Sequence, residues 1–122
     1  MRIERDDQEV SWKQVAELFQ AVGWGARDPN DIRSAFARST FKAFAFDGAE
    51  LIGFGRTIDD GKFYATVVDV VVDPAHQRKR TGRAIVEDLQ SRIQGFLVVT
   101  LTAAPDVQPS TEGWVGEVRP RL

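Results

Sequence analysis

A short basic turn holds the residue types in this chain that are best suited to binding chemistry. Residues 78–83 contain four cationic side chains, although the formal net charge of the whole chain is −2: Arg78, Lys79, Arg80 and Arg83. The turn separates a valine-rich run from a helical pattern, so it would present free backbone N–H groups and the positive end of a helix dipole. Phosphate groups bind at such helix starts. The pattern predicts an anion site, with a solvated basic turn as the alternative.

A single carboxylate, Asp69, interrupts the valine run that precedes the basic turn. Positions 67, 68, 70, 71 and 72 are all valine, which is typical of a strand buried on both faces. A carboxylate inside such a strand is costly unless it is solvated, paired or hydrogen-bonded. Asp69 is therefore either a general base in a cleft or a structural carboxylate that caps nearby backbone.

The elements that must position these residues follow from hydrophobic periodicity and turn signals. The predicted strands cover residues 1–4, 42–46, 50–57, 64–73 and 96–102. The first predicted helix begins at a capping box that starts with Ser11, and the second begins at Asp28-Pro29. The third predicted helix covers residues 81–94. Because helices interrupt a largely antiparallel sheet, the order predicts a mixed α/β domain.

Composition limits the class of protein. The 122 residues are enough for one domain, and the 43% apolar fraction is enough for a core. There is no cysteine and a single histidine, so disulfides and thiolate chemistry are excluded and we expect no metal site. No run reaches the ~18 apolar residues of a membrane span, and the charged N-terminus does not resemble a signal peptide. We therefore expect a cytoplasmic protein without a membrane partner.

A nucleic-acid-binding module is the second class that the basic turn could indicate. Such modules present a broad basic face and aromatic platforms on which bases stack. The cations here are confined to one turn of an acidic chain. We therefore expect no nucleic-acid partner.

Residues 67–86 resemble the signature of the GNAT superfamily, the acetyl-CoA-dependent N-acetyltransferases. In that family a buried strand is followed by Gln/Arg-x-x-Gly-x-Gly/Ala at the start of the next helix. This chain has Gln77-x-x-Arg80-x-Gly82 after Asp-Val-Val-Val-Asp-Pro. Arg80 replaces the first glycine, so an arginine must adopt the backbone angle that glycine adopts freely. The resemblance extends through residues 18–24 and 51–61 and covers most of 1–109.

The resemblance implies a GNAT-like fold, an acetyl-CoA cofactor and the residues that hold it. Backbone N–H groups of the basic turn would bind the pyrophosphate, and main-chain groups of the valine strand would bind the pantetheine arm. The Val70 amide would lie near the thioester carbonyl. The implied cofactor-binding residues are Val70, Val72, Gln77, Arg78, Lys79, Arg80, Thr81, Gly82 and Arg83.

The same resemblance implies N-acetylation of a primary amine on a small molecule or a peptide. Without cysteine the acetyl group would move by direct attack of the amine. Asp69 is the candidate base. A non-catalytic CoA-binding or regulatory domain is the alternative function.

The chain departs from the GNAT pattern after Pro109. Family members continue with a helix whose tyrosine is the usual acid for the departing thiolate, and then with a closing strand hairpin. Residues 110–117 contain no tyrosine and no apolar helical stripe. We therefore predict a GNAT-like domain over 1–109 with an incomplete C-terminal part, and an atypical tail over 110–122.

A frameshift at the Pro109 codon is our hypothesis for this tail, because the neighbouring frame can encode Phe-Tyr-Arg-Arg-Leu-Gly-Trp. A sheet without its closing hairpin would leave the strand 96–102 unpaired. Unpaired strands recruit other chains, so we expect a homo-oligomer.

Overall fold

The computed structural model describes residues 1–77, 79–96, 98–103 and 116–118, the last two ranges by their backbone. The strands are β1 (Arg2–Glu4), β2 (Lys42–Asp47), β3 (Glu50–Asp59), β4 (Tyr64–Val72), β5 (Val98–Ala103) and β6 (Gly116–Val118). The helices are α1 (Trp12–Ala21), α2 (Pro29–Arg38) and α3 (Thr81–Arg92), with a 3-10 turn over Pro74–His76. The predicted order of elements through β5 is confirmed, and the 3-10 turn is an addition to it.

The strands form one sheet in which spatial order follows chain order. Neighbours from β1 to β4 pair antiparallel, β4 and β5 pair parallel, and β5 and β6 pair antiparallel. Helix α3 is the crossover that a parallel pair requires. This arrangement confirms the predicted mixed, largely antiparallel α/β class.

The prediction of an unpaired strand at 96–102 is wrong. Strand β6 pairs with β5 through Val118, Glu117 and Gly116, opposite Val99, Thr100 and Leu101. An antiparallel neighbour satisfies backbone groups of β5 at these three positions, so the argument for a homo-oligomer from an unpaired strand loses its basis. The rest of the tail, and with it the hypothesis of a frameshift at the Pro109 codon, lies outside the described residues. The oligomeric state stays a prediction.

The two faces of the sheet carry separate apolar clusters, because successive strand residues point to opposite faces. Along β2, Phe44 packs with α1 and α2, whereas Ala43 and Ala45 pack with α3. The first cluster includes Phe19, Phe36, Phe54 and Val71, and the second includes Val67, Val70, Ile85 and Leu89. Strand β4 is therefore buried from both sides, as its valine run predicted.

Within the described part of the chain, no helix is long and apolar enough to cross a membrane. The cytoplasmic location stays a prediction.

Close packing of α3 on β3 depends on a glycine. A Cβ on Gly53 would lie 2.9 Å from the Val71 carbonyl oxygen and 3.0 Å from Ile85 Cδ1. Since a backbone oxygen in a sheet cannot move freely, we expect Gly53→Ala to lower the free energy of unfolding by about 1–3 kcal/mol. Gly95→Ala is the control, because nothing lies within 4 Å of its Cβ position. Urea unfolding of both variants measures the difference, and equal stabilities would contradict the packing argument.

Candidate active site

Helix α3 begins without the side-chain cap that α1 and α2 have. Ser11 Oγ accepts a hydrogen bond from the Gln14 N–H at 3.3 Å, and Asp28 Oδ1 accepts one from the Asn30 N–H at 2.7 Å. Arg80, which precedes α3, makes no cap hydrogen bond with its side chain. The first turn of α3 therefore presents its backbone N–H groups, with the positive end of the helix dipole, to any anion placed there.

Arg80 itself adopts the left-handed conformation, with φ +65° and ψ +8°. This confirms that an arginine takes the backbone angle for which the family motif uses glycine. Left-handed backbone costs an L-residue roughly 1–2 kcal/mol. The turn is therefore held in a strained shape by its surroundings.

The side chains of the basic turn divide into exposed cations and buried small residues. Lys79, Arg80 and Arg83 are exposed, whereas Thr81 and Gly82 are buried against the domain. Arg83 Nε lies 3.8 Å from Glu87 Oε2, which partly offsets its charge. Arg78 lies outside the described residues.

Gln77 joins the basic turn to the end of β4. Its Nε2 donates a hydrogen bond to the Val72 carbonyl oxygen at 3.2 Å. Gln77 was predicted to bind cofactor, and in the structure its side chain contacts the protein backbone. This contact fixes the path of the loop between strand and helix.

The β2–β3 turn is joined to the same loop through His76. Its Nε2 lies 3.6 Å from Asp47 Oδ2, and its Nδ1 lies 3.8 Å from Asp73 Oδ2. Asp73 also accepts a hydrogen bond from the Ala75 N–H at 2.9 Å, so it caps the 3-10 turn over Pro74–His76. One carboxylate oxygen each of Glu50 and Asp73 and one ring nitrogen of His76 all lie within 4.8 Å of one another. The sequence did not predict this cluster, because Glu50 is far from Asp73 and His76 along the chain.

Asp69 forms a bulge in the middle of β4. Val68 is opposite Arg56 and Val71 is opposite Phe54 in the β3–β4 ladder, so two residues of β4 share one position of β3. Asp69 has φ +53°, an angle that aspartate tolerates better than most residues. The β4–β5 register also shifts between Val67 and Val70. Bulges of this kind re-aim a side chain and interrupt pairing.

The Asp69 carboxylate is paired with two arginines. Arg56 Nε donates to Asp69 Oδ2 at 2.8 Å, and Arg56 Nη1 donates to Ser39 Oγ at 3.2 Å. Arg27 Nη1 lies 3.8 Å from Asp69 Oδ1, beyond hydrogen-bonding distance. The Asp69 side chain is 13% exposed and that of Arg56 is 15% exposed. Arg56 thus explains how a carboxylate is accommodated in the valine strand.

Asp69 nevertheless faces a cavity of about 340 Å³. The walls combine aromatic and aliphatic side chains from α1 and α2 with charged groups, among them Phe19, Ile32, Phe36, Arg27, Arg56 and Asp69. The carboxylate is thus ion-paired and also part of a cleft, but its partners are arginine side chains and not the backbone that the structural alternative predicted. Its role as a base stays a prediction. Val70 and Val72 are 0% and 1% exposed as whole residues, backbone included, and belong to the core. Main-chain contacts from these residues to a cofactor stay a prediction.

Sequence reasoning missed the two arginines of this cavity. Arg56 had a usable signal, since it is a cation within an apolar strand next to the strand that carries a carboxylate. Arg27 lies in the glycine-containing connection between α1 and α2 and had no such signal.

Comparison with known proteins shows what the chain is similar to. Residues 7–112 match the model of the Acetyltransferase (GNAT) family. The chain is 29% identical over 104 residues to the uncharacterized N-acetyltransferase ycf52 of Pyropia yezoensis. The aligned region covers 80% of this chain and 60% of that relative. The chain therefore spans less than two thirds of that relative's length.

Solved structures share the fold. A GNAT-family acetyltransferase from Streptococcus pneumoniae TIGR4 matches with a TM-score of 0.71 and 27% identity, over 83% of this chain and 74% of its own. An aminoglycoside 6′-N-acetyltransferase complexed with coenzyme A matches with a TM-score of 0.72 and 19% identity, over 83% of this chain and 61% of its own.

Proposed function

Because the chain belongs to the GNAT acetyltransferase family, we propose that it binds acetyl-CoA and transfers the acetyl group to a primary amine of a small molecule or peptide. The single observation that carries the proposal is the uncapped start of α3 behind the left-handed Arg80. The first backbone hydrogen bond of the helix runs from the Ala84 N–H to the Arg80 carbonyl at 2.9 Å. The N–H groups of residues 81–83 precede it and fit a pyrophosphate.

The surroundings of α3 suit the remaining parts of the cofactor. Exposed Lys79 and Arg80 supply cations beside the helix start. The register shift of β4 against β5 leaves residues 68 and 69 outside the paired positions. Main-chain groups of Val70 and Val72 are our candidates for the pantetheine arm.

When bound, acetyl-CoA would supply the acetyl group as a thioester, so that the C–N bond to the amine would form as the C–S bond breaks and CoA would leave as a thiolate. The Val70 N–H would donate to the carbonyl oxygen, where negative charge develops. Asp69 Oδ1, which accepts no hydrogen bond from the described residues, would accept a proton from the amine. Arg56 would hold the carboxylate in position through Oδ2.

A non-catalytic CoA-binding domain is the second candidate, and the position of the only tyrosine favours it. Tyr64 is exposed at the first residue of β4. Asp69 lies five positions further along the strand, or roughly 16 Å away. Tyr64 therefore cannot serve as the acid for a thiolate near Asp69.

Two measurements on the full chain test these candidates. Calorimetric titration with acetyl-CoA decides whether the cofactor binds, and absence of heat would contradict both functions. Thiol release from acetyl-CoA in the presence of amines separates the enzyme from the non-catalytic domain. Binding without release would favour the second candidate.

We expect Arg80→Gly to preserve or improve acetyl-CoA binding. Glycine adopts φ +65° without the cost of roughly 1–2 kcal/mol that arginine incurs there, and backbone groups rather than this side chain would hold the phosphate. Titration calorimetry at low and high salt measures the effect, with Arg38→Gly as an exposed arginine control at the end of α2. A large loss that is greater at low salt would contradict this account and indicate a direct ion pair with phosphate.

A further inference from the structure

Arg27 is the cation of the cavity that lacks a close partner. Its side chain is 40% exposed, and its only ion-pair contact in the described part of the chain is the 3.8 Å approach to Asp69. The guanidinium lies 4.2 Å from the ring centroid of Phe19 and 5.5 Å from that of Trp24. The two rings restrict the guanidinium without using its N–H donors in the plane, where a carboxylate would bind.

The cavity wall holds two arginines and three aspartates, so Asp28 and Asp31 lie there beside Asp69. Arg56 binds Asp69 Oδ2 and Ser39 Oγ. Asp28 caps α2, and Asp31 is exposed in the first turn of that helix, where the dipole stabilises negative charge. Both guanidinium groups thus converge on Asp69, and the N–H donors of Arg27 make no hydrogen bond within the described part of the chain.

The spacing of Arg27 and Asp69 sets the shape of an acceptor that would satisfy both. Asp69 Oδ1 is free to accept a hydrogen bond from an amine, and Arg27 lies only 3.8 Å away. An acceptor that places its amine at Asp69 and a carboxylate at Arg27 must carry these two groups close together. In an α-amino acid both groups are attached to one Cα by bonds of about 1.5 Å.

We infer that the acceptor amine is the α-amino group of a free amino acid, with its carboxylate bound by Arg27. The inference rests on the proposed function. The side chain of the amino acid would lie against Phe19, Ile32 and Phe36 in the apolar part of the cavity. Transfer forms the amide bond of an N-acetylamino acid, breaks the thioester C–S bond, moves one amine proton to Asp69 and releases CoA.

The first experiment incubates the full chain and acetyl-CoA with an equimolar mixture of the twenty standard amino acids. A second incubation uses the mixture of the corresponding amino acid amides, and mass spectrometry identifies the products. We expect N-acetylation in the first mixture. The α-amino group of an amino acid amide is less basic than that of the free acid, so more of it is unprotonated and reactive at neutral pH. A preference for the free acid therefore reports recognition of the carboxylate.

The second experiment uses the best acceptor of the mixture, its amide and its decarboxylated amine. We expect kcat/KM for the acid to exceed that for the other two by about 10- to 100-fold, the effect of a hydrogen-bonded ion pair. Arg27→Gln should remove this preference, and Arg27→Lys should retain part of it. Arg33→Gln, an exposed arginine on α2 outside the cavity, should leave it unchanged. Calorimetric titration of the acceptor into the CoA-bound protein should show the same order of the variants in acceptor affinity.

The outcomes separate this inference from the proposed function. If acetyl-CoA does not bind, the proposed function fails. If acetyl-CoA binds and the free amino acids are not acetylated, or are acetylated no better than the amides, the inference is overturned while cofactor binding stands. A preference that survives in Arg27→Gln also overturns it, because another group would then recognise the carboxylate.

Discussion

Replacement of Gly82 by glutamate is expected to abolish measurable acetyl-CoA binding. Gly82 is buried in the first turn of α3, which the structure leaves without a side-chain cap. A glutamate there would place both a side chain and a negative charge at the proposed pyrophosphate site. Repulsion between like charges about 4 Å apart is about 1–4 kcal/mol at effective dielectric constants between water and the protein surface, which corresponds to roughly 5- to 1,000-fold in affinity before steric exclusion is added.

Titration calorimetry checks this prediction, and a second Gly→Glu change provides the control. Gly95 follows α3 at its opposite end, where nothing lies within 4 Å of a Cβ position. Gly95→Glu adds the same side chain and charge to the protein and should bind acetyl-CoA as the parent does. Circular dichroism should show folded protein for both variants, and Gly82→Ala serves as a milder variant if the glutamate prevents folding. Parent-like binding by folded Gly82→Glu would show that the cofactor site is assigned wrongly.

The start of α3 could be predicted from sequence because the signals for it are local. A valine run, an Asp-Pro turn and a cationic turn follow one another within twenty residues, from Val67 to Val86. The αL angle of Arg80 follows from the glycine that the motif has at this position. The helix starts at Ser11 and Asp28 were predictable for the same reason, because a capping side chain binds the N–H of a residue only two or three positions further along the chain.

The cavity could not be predicted in the same way, because its contacts join distant segments. The Asp69–Arg56 pair depends on the bulge in β4, which shifts the ladder by one residue. Simple alternation along β3 and β4 does not show that shift. Arg27 reaches the cavity only because the connection after α1 folds it over Phe19. The β6 strand was missed because residues 116–118 are too short and too polar to give a strand pattern.

Asp69→Asn is expected to have the second large effect, on acetyl transfer. Asparagine keeps the size of the side chain and tolerates φ +53°, so the bulge should persist. It loses the negative charge that would accept the amine proton. General acid–base groups contribute about 10²- to 10⁴-fold, and we expect kcat in the thiol-release assay to fall within that range. Acetyl-CoA affinity should stay close to that of the parent, because Asp69 lies in the cavity and not in the α3 turn.

The same substitution should also lower stability, because Arg56 would keep a half-buried charge without its counterion. Removal of one partner from a buried pair costs about 3–5 kcal/mol, and the partial exposure of this pair places our expectation at the lower end. Loss of stability alone could reduce activity. A control that breaks a comparable pair elsewhere is therefore needed.

Asp88 and Arg92 provide that control. Arg92 Nη2 lies 2.6 Å from Asp88 Oδ2, and the two side chains are 16% and 15% exposed, nearly the values of the Asp69–Arg56 pair. Asp88 Oδ1 also accepts a hydrogen bond from Arg5 Nη2 at 2.9 Å, so Asp88, like Asp69, contacts two arginines. Asp88→Asn should lower the free energy of unfolding by a similar amount in urea and leave kcat within about threefold of the parent, since Asp88 is outside the cavity. If both variants lose activity equally, Asp69 is a structural carboxylate. If Asp69→Asn alone loses activity and Arg56→Gln in the same chain restores stability without restoring kcat, the Asp69 carboxylate takes part in proton transfer.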